Sequence, residues 1–132
     1  FEIKTNFKVV NLGYIDGQIN LSKVYNNCDA LIIPSEADNF PNVGIEAMAS
    51  GLPIISLKNN GINEIIKHGH NGMTLKKFDN ESLTKVMKWV IKTKNRKNYN
   101  LNLSKSVKKM LGYKTISKQV INLYKKIIYE KN

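Results

Sequence analysis

Apolar runs and helical patterns alternate along the first 76 residues of the chain. The apolar runs are short, rich in β-branched residues and ended by glycine, proline or polar residues, which is typical of strands. We predict strands at 7–12, 30–33, 53–56 and 73–75. Because the run at 30–33 contains no polar residue, we expect this strand to be buried on both faces.

Apolar residues at helical spacing fill the intervals between these strands. They predict a short helix through Leu21, Tyr25 and Cys28, a second at 42–50 that ends before Gly51, and a third at 62–67. Strands that alternate with helices at these intervals indicate parallel βαβ units. The predicted fold class is therefore α/β, with a Rossmann-like parallel sheet and flanking helices at about 7–76.

Three further apolar stripes predict a helical C-terminal tail at about 79–131. Asp79 or Asn80 is expected to cap the first of these helices. Apolar stripes of this kind are typical of helices that pack on a sheet, and we expect all three to do so. The stripe residues are Leu83, Val86, Met87, Val90 and Ile91, then Leu103, Val107, Met110 and Leu111, then Ile116, Val120, Leu123, Tyr124, Ile127 and Ile128.

The composition indicates one globular domain or a part of one. The chain has 132 residues, 42% of them hydrophobic, and no apolar run approaches the length of a membrane span. It begins with Phe1 rather than methionine, so we expect residues 1–132 to be a partial domain of a longer protein. The single Cys28 excludes an internal disulfide and is compatible with a reducing cytoplasm, and we expect its side chain to be buried.

The net charge of +11 is divided unevenly along the sequence. Residues 1–66 contain 4 Lys and 7 acidic residues, whereas residues 67–132 contain 17 Lys or Arg and 3 acidic residues. We interpret the excess as a solvated helical surface that lies away from the candidate site, with attraction to an anionic membrane surface as the alternative. All cations except Arg96 are lysines, and no aromatic residues alternate with them, so nucleic acid is not an expected partner.

Two carboxylates eight positions apart, Asp38 and Glu46, mark the candidate site. Between Asn39 and Leu57 the only charged side chain is Glu46, and it stands in an apolar helical run, where a carboxylate usually needs a partner. The loop before this helix follows a predicted parallel strand, where ligands of such sheets bind. Free backbone N–H groups at the start of a helix can bind phosphate. Carboxylates for hydroxyls beside amides for phosphate suit a sugar nucleotide.

The sequence at 30–75 resembles family-4 retaining glycosyltransferases of the GT-B fold, in the C-terminal domain that binds the donor. Members have a similar order of two Glu separated by seven residues, then Ala-Met-Ala, Gly-x-Pro and a second glycine-rich turn. The matching segments here are Ala-Leu-Ile-Ile-Pro-Ser (30–35), Phe-Pro-Asn-Val-Gly-Ile-Glu-Ala-Met-Ala-Ser-Gly-Leu-Pro-Ile-Ile (40–55), Gly-Ile-Asn-Glu-Ile-Ile (61–66) and His-Asn-Gly (70–72). The resemblance extends loosely to 9–13.

The resemblance implies a role for each carboxylate in binding the donor. Glu46 matches the second Glu of the family, which binds the ribose hydroxyls of the nucleotide. Asp38 falls on the first Glu, which contacts hydroxyls of the transferred sugar, and it is one methylene shorter than the family residue.

The segment between the two carboxylates is implied to face the sugar and the diphosphate with its backbone. Asn39, which replaces a frequent glycine, Phe40, Asn42 and Val43 would offer their amides, and Pro41 would shape the turn. No catalytic side chain is assigned. The family is metal-independent and needs no cofactor. His68-Gly-His70 has no further ligands at suitable spacing, so we interpret it as a turn rather than a metal site.

The resemblance also implies what lies outside the chain. Family members supply an Arg and a Lys for the diphosphate from strands upstream of residue 1, and their acceptor site lies in a separate N-terminal domain. We therefore expect residues 1–132 alone to have negligible transferase activity and weak donor affinity. Sheet edges exposed by the truncation are expected either to pair strand 7–12 with strand 30–33 or to form a homo-oligomer.

The sequence thus predicts the donor-binding part of a hexosyl-type transferase that moves a sugar to a glycan or lipid-linked acceptor of polysaccharide biosynthesis. We expect it in the cytoplasm, with a peripheral position at the inner face of the membrane as a variant. Two alternatives remain open: a sugar-nucleotide epimerase of the same fold, and a non-enzymatic basic module that binds anionic lipid or nucleic acid. The sequence does not identify the donor base, the sugar or the acceptor.

Overall fold

The computed structural model describes residues 8–94 and 98–129. The regular elements in these residues follow the order α1, β1, α2, β2, a 3-10 helix, β3, α3, α4 and α5. Their bounds are Gln18–Asn26 (α1), Leu31–Ile33 (β1), Asn42–Ala49 (α2), Ile54–Leu57 (β2), Gly61–Glu64 (the 3-10 helix), Gly72–Leu75 (β3), Asn80–Lys94 (α3), Tyr99–Leu111 (α4) and Tyr113–Tyr129 (α5).

The three strands form one parallel sheet in the order β1-β2-β3. Leu31 of β1 pairs with Ile54 of β2, which pairs with Gly72 of β3. Three apolar runs predicted as strands therefore form the sheet, and the predicted α/β class is confirmed. The predicted helix at 62–67 is shorter than expected, because only the 3-10 turn at Gly61–Glu64 is formed.

Side chains from the two faces of the sheet enter two different hydrophobic clusters. On one face, α2, α4 and the 3-10 helix cover the strands, and the cluster contains Ile33, Met48, Ile54, Ile62, Leu103 and Val107. On the other face, α3 packs through Val86 against Ile55 and Leu75. Successive residues of a strand point to opposite faces, so neighbours such as Ile54 and Ile55 serve different layers.

The predicted strand at 7–12 is wrong for the residues that the structure describes. Residues 8–12 have no regular secondary structure, and Val9 is 68% exposed. Phe7 lies outside the described residues. β-Branched residues favour a strand only when a neighbouring strand accepts the backbone hydrogen bonds, and within the described ranges β1 pairs only with β2. The expected pairing of 7–12 with 30–33 is therefore not formed.

Two predictions of burial are also wrong. Ile32 is 48% exposed, so β1 is not buried on both faces. The reason is that the hydrophobic cluster of Ile55, Leu75 and Val86, which we call the α3-side cluster, forms on β2 and β3, away from this outer strand. Cys28, expected to be buried, is exposed, because α1 ends at Asn26 and the residue falls in the loop before β1.

The helical tail forms as predicted but packs less completely. Asp79 caps α3, because its Oδ1 accepts a hydrogen bond of 2.8 Å from Ser82 N, and Leu103 and Val107 of α4 are buried. Within the predicted stripes, Met87 and Ile91 of α3 and Met110 of α4 are exposed.

The stripe of α5 was expected to pack on the sheet, and that expectation is wrong. No residue of this helix is buried, and its main contact among the described elements is with α4. Residues 130 and 131 of the predicted tail lie outside the described residues. Among the described helices none is long and apolar enough to cross a bilayer.

Candidate functional site

The loop between β1 and α2 lies at the carboxyl edge of the sheet and is fixed at two points. Phe40 packs against the hydrophobic cluster formed around Met48, and Pro41 is buried. Near the middle of the loop, Gly61 N donates a hydrogen bond of 2.7 Å to the backbone oxygen of Asp38. The side chains of Asp38 and Asn39 are exposed. The loop is thus held by its backbone and by Phe40, while its polar side chains face solvent.

The first turn of α2 presents backbone N–H groups without a side-chain cap. Its N-cap residue is Pro41, which forms no capping hydrogen bond, and no acidic side chain lies in the first turn. Gly44 N donates to Pro41 O at 3.0 Å, so the amides of Asn42 and Val43 precede the first bond of the helix. Two exposed residues therefore offer amides to an anion at the positive end of the helix dipole.

Glu46 lies on the exposed face of α2, three and four residues after Val43 and Asn42. Residues at this spacing have neighbouring side chains on a helix surface, so the Glu46 side chain lies one turn after the two residues whose backbone amides are free. Ala47 and Met48 lie on the opposite, buried side of α2. The helix thus separates a core face from a polar face, as the isolated carboxylate in the apolar run indicates.

A cavity of about 240 Å³ lies between α1 and α2, and Glu46 is one of the residues that line it. Tyr25, Gln18 and Ser22 of α1 line the opposite side. The pKa of Tyr25 is raised by burial first and then by the negative charge of the neighbouring Glu46 carboxylate. Glu46 and Tyr25 therefore lie close together at the edge of a cavity that a ribose could enter.

The two predicted carboxylates occupy different surroundings. Glu46 faces α1, whereas the backbone of Asp38 is held against the 3-10 helix, and Asp38 does not line the cavity of Glu46. The structure brings Glu46 together with the amides of Asn42 and Val43, but it places no side chain of the other predicted residues in that cavity. Tyr25 was predicted only as an apolar position of the first helix. A buried tyrosine usually needs a polar partner for its hydroxyl, and this requirement is the feature of the sequence that could have identified it as a site residue.

Three lysines follow the carboxyl ends of the other two strands. Lys58 follows β2, and Lys76 and Lys77 follow β3; together they line a cavity of about 510 Å³ with Glu36, two residues before Asp38. The division of charge along the sequence predicted that the cations of residues 67–132 lie away from the site. Lys76 and Lys77 lie at the edge of the sheet that also carries the loop 36–41, because parallel strands end at the same edge. None of the predicted site residues lines their cavity, so the expectation stays a prediction.

A buried amide joins two of the loops at this edge. Asn60 is buried, and its Nδ2 donates to Ser35 Oγ at 3.1 Å while its Oδ1 accepts from Ile62 N at 3.1 Å. The loop after β1 is thereby tied to the turn after β2. This network fixes the position of residues 36–41 relative to the 3-10 helix.

The histidine pair lies away from these cavities. His68 Nδ1 is 3.1 Å from Thr74 Oγ1, and both His68 and His70 are exposed. In residues 8–94 and 98–129, no three His, Cys, Asp or Glu side chains are grouped so that they could hold a metal ion.

The sequence matches a family of enzymes over most of its length. The family described as glycosyl transferases group 1 matches residues 2–110. The chain belongs to this family. The match includes the sheet, the loop 36–41, α2 and α3, so the candidate site of this glycosyltransferase domain lies within the matched region.

Two curated relatives extend over nearly the whole glycosyltransferase domain. An uncharacterized glycosyltransferase of Methanocaldococcus jannaschii is 32% identical over 126 residues, which are 95% of this chain and 32% of that protein. N-acetyl-alpha-D-glucosaminyl L-malate synthase of Bacillus anthracis is 26% identical over 117 residues, or 89% of this chain and 30% of that protein. The domain thus spans about a third of the length of these relatives.

The fold is shared with a solved structure. HepE of Anabaena, solved in complex with UDP-glucose, superposes with a TM-score of 0.66 at 22% identity, over 81% of this chain and 30% of that one. The GT-B type expected from the sequence is therefore confirmed at the level of the fold.

Proposed function

We propose that the chain forms the donor-binding part of a family-4 retaining glycosyltransferase. This enzyme moves a hexosyl-type sugar from a nucleotide diphosphate donor to a glycan or lipid-linked acceptor. The observation that carries the proposal is the first part of α2, where the Glu46 carboxylate stands one turn after two uncapped amides. A carboxylate can accept from two adjacent ribose hydroxyls, and helix N–H groups bind phosphate. HepE, the structural neighbour, was solved with UDP-glucose, which supports a donor of this class.

The chemistry that we propose needs few groups from this chain. In a retaining transfer the sugar passes through an oxocarbenium-like state while the diphosphate leaves, so its developing charge must be stabilised. The amides of Asn42 and Val43 supply part of this stabilisation, and we assign contacts with the transferred sugar to Asp38 and Asn39. Phe40 and Pro41 hold the loop, and no metal or cofactor is required.

The complete reaction needs partners that we place outside residues 1–132. We propose an acceptor domain in the parent protein and further cations for the diphosphate, a cytoplasmic location, and negligible transfer by this chain alone. The curated relatives reported above carry transferase or synthase names, which favours a transferase over the epimerase alternative.

Replacing Glu46 by glutamine is expected to weaken the binding of UDP-glucose by about 10- to 100-fold. The physical reason is the loss of charge-assisted hydrogen bonds to the ribose, each of which contributes roughly 1.5–3 kcal/mol. Saturation-transfer NMR on the 132-residue chain, which detects weak binding, provides the measurement. UDP, GDP and ADP sugars should be compared because the donor base is not known.

Glu81→Gln is the matched control for this substitution. Glu81 is an exposed glutamate of α3 outside both cavities described above, and it forms an ion pair with the exposed Lys85. Its replacement should leave donor binding within twofold of the unmodified chain. Equal binding by the Glu46 and Glu81 variants would contradict the proposal, as would the absence of donor binding to the complete parent protein.

Tyr25→Phe tests whether the hydroxyl of Tyr25 orients Glu46. Phenylalanine retains the ring that packs on Ala47 and Leu52, so thermal stability should fall by only about 1 kcal/mol, the contribution of one hydrogen bond. The affinity for the nucleotide should fall about threefold to tenfold if the Tyr25 hydroxyl orients the Glu46 carboxylate, because the variant removes that polar neighbour. Unchanged affinity, measured by the same NMR titration, would show that Glu46 does not depend on this contact.

One observation favours a second candidate function, binding to an anionic membrane surface. α5 carries an exposed apolar stripe, and its sequence contains four lysines and no acidic residue. Such a helix can lie in the headgroup region of a bilayer. Binding to phosphatidylglycerol vesicles that persists in the Asp38→Lys/Glu46→Lys variant would favour this candidate, whereas no vesicle binding would exclude it.

A further inference from the structure

Two lysines lie side by side where the second and third strands end. Leu57 of β2 pairs with Leu75 of β3, so Lys58 and Lys76 are the next residues on adjacent strands. A backbone hydrogen bond of 2.8 Å from Lys58 N to Leu75 O continues the ladder to this point. Adjacent parallel strands are about 4.8 Å apart. The register therefore fixes the two cationic residues as neighbours.

Neither lysine of this pair has an acidic partner in the described residues. The neighbouring Lys77 does, because its Nζ lies 2.8 Å from Asp79 Oδ2. Like charges directly opposite each other on neighbouring strands are destabilising. The arrangement differs from the ion pair of Lys85 and Glu81 on α3, and it leaves positive charge concentrated at one point of the sheet.

The surroundings of the pair form a cavity of ligand size. Its volume of about 510 Å³ falls in the range of small-molecule sites, roughly 300–1,000 Å³. Pro34 forms one wall, and Phe78, partly buried against the α3-side cluster, forms another. Glu36 is the one carboxylate that lines it. The cavity opens at the carboxyl ends of all three strands, the edge at which parallel sheets bind ligands.

We propose that this cavity, which we call the lysine cavity, binds a phosphoryl group through Lys58 and Lys76. A lysine ammonium is a compact charge that binds phosphate without a fixed geometry. Two of them on adjacent strand ends can approach the oxygens of one phosphoryl group from the same side. Glu36 is placed to accept a hydroxyl hydrogen from the molecule that carries this group.

Two sources could supply the phosphoryl group. One is the diphosphate of the sugar nucleotide, since Glu36 and Asp38 belong to the same loop. The other is a phosphorylated acceptor bound beside the donor. The choice between the sources rests on the proposed function, whereas the binding of a phosphoryl group by the lysine cavity does not.

The test is an NMR titration of the 132-residue chain with inorganic phosphate, pyrophosphate and UDP-glucose at about 0.1 M salt, where charges more than roughly 10 Å apart are screened. Pyrophosphate should shift the amide signals of residues 58–59 and 76–78. Lys58→Gln/Lys76→Gln should weaken pyrophosphate binding by at least about tenfold. The control Lys88→Gln/Lys92→Gln removes the same charge from exposed positions of α3 and should change the affinity for pyrophosphate by less than twofold.

Each outcome is decisive for the lysine cavity. The proposal would be overturned if pyrophosphate did not shift the amide signals of residues 58–59 and 76–78. It would also be overturned if the two double variants lost the same affinity for pyrophosphate. If UDP-glucose displaces pyrophosphate, the donor diphosphate is the occupant; if both bind together, a phosphorylated acceptor is. Pyrophosphate binding in the lysine cavity without any UDP-glucose binding would support this site while contradicting the donor proposal, so the two failures are distinguishable.

Discussion

Replacing Gly61 by alanine is expected to destabilise the protein by about 3 kcal/mol and to displace the candidate donor loop. A Cβ at this position would overlap the backbone oxygen of Asn39. The atoms that the Cβ would meet belong to the backbone, and a Cβ has no torsion angle of its own, so no side-chain rotation can relieve the clash. The cost therefore lies at the upper end of the roughly 1–3 kcal/mol that overpacked sites cost. Urea denaturation measures the loss, and weaker binding of UDP-glucose should accompany it.

Gly13→Ala is the control for this substitution. Gly13 has a φ of 62°, and a methyl group on its Cα would have open space within 4 Å among the described residues beyond its chain neighbours. Alanine there therefore carries only the left-handed backbone strain, about 1 kcal/mol. The difference between the two variants reports the clash with Asn39. If Gly61→Ala and Gly13→Ala are equally stable, the close approach of loop 36–41 to the 3-10 helix does not exist in solution.

The sheet could be predicted from the sequence because its strands are short apolar runs with turn residues at both ends. Strands of this kind, such as Ile54–Leu57, are buried on both sides and have no polar alternation to obscure them. The run at 7–12 is also rich in residues that favour strands, although it includes Lys8 and Asn11, and it forms no strand in its described part. Composition reports the preference of a segment for a strand, whereas the formation of the strand depends on a neighbouring strand with which it can pair. The identity of that neighbour is not encoded in the segment itself.

The candidate site was predicted in part for a similar reason. Glu46 and the first turn of α2 are adjacent in sequence, so a local pattern reveals them. Tyr25 and Lys76 reach the site from 21 and 30 residues away, and only the packing of α1 and the register of β3 bring them there. The donor roles of Asp38, Asn39 and Glu46 stay predictions until a nucleotide sugar is titrated.

The apolar stripe of α5 shows the limit of amphipathic patterns. The pattern indicates that one face of the helix prefers an apolar environment, and the segment forms the expected helix. It does not say which surface provides that environment. In the described residues α5 contacts α4, while Leu123 and Ile127 stay exposed.

Replacing Met48 by alanine is expected to cost about 3–4 kcal/mol of unfolding free energy. Met48 is 0% exposed and packs in the cluster that joins α2, β2 and α4. Truncation to alanine removes buried methylene groups and leaves a cavity, and such substitutions cost roughly 2–5 kcal/mol. Urea denaturation of the 132-residue chain measures the effect. Met48→Leu, which conserves the volume, should cost less than about 1.5 kcal/mol.

Met87→Ala separates the effect of burial from the loss of a methionine. Met87 is 56% exposed on α3, and substitutions at such surfaces usually change stability by roughly 0.5 kcal/mol or less. Because Met48 and Glu46 lie on opposite faces of α2, folded Met48→Leu protein should bind UDP-glucose as the unmodified chain does. Comparable losses of stability in Met48→Ala and Met87→Ala would mean that α2 is not anchored in the core, and Glu46 would then lack the fixed position that donor binding requires.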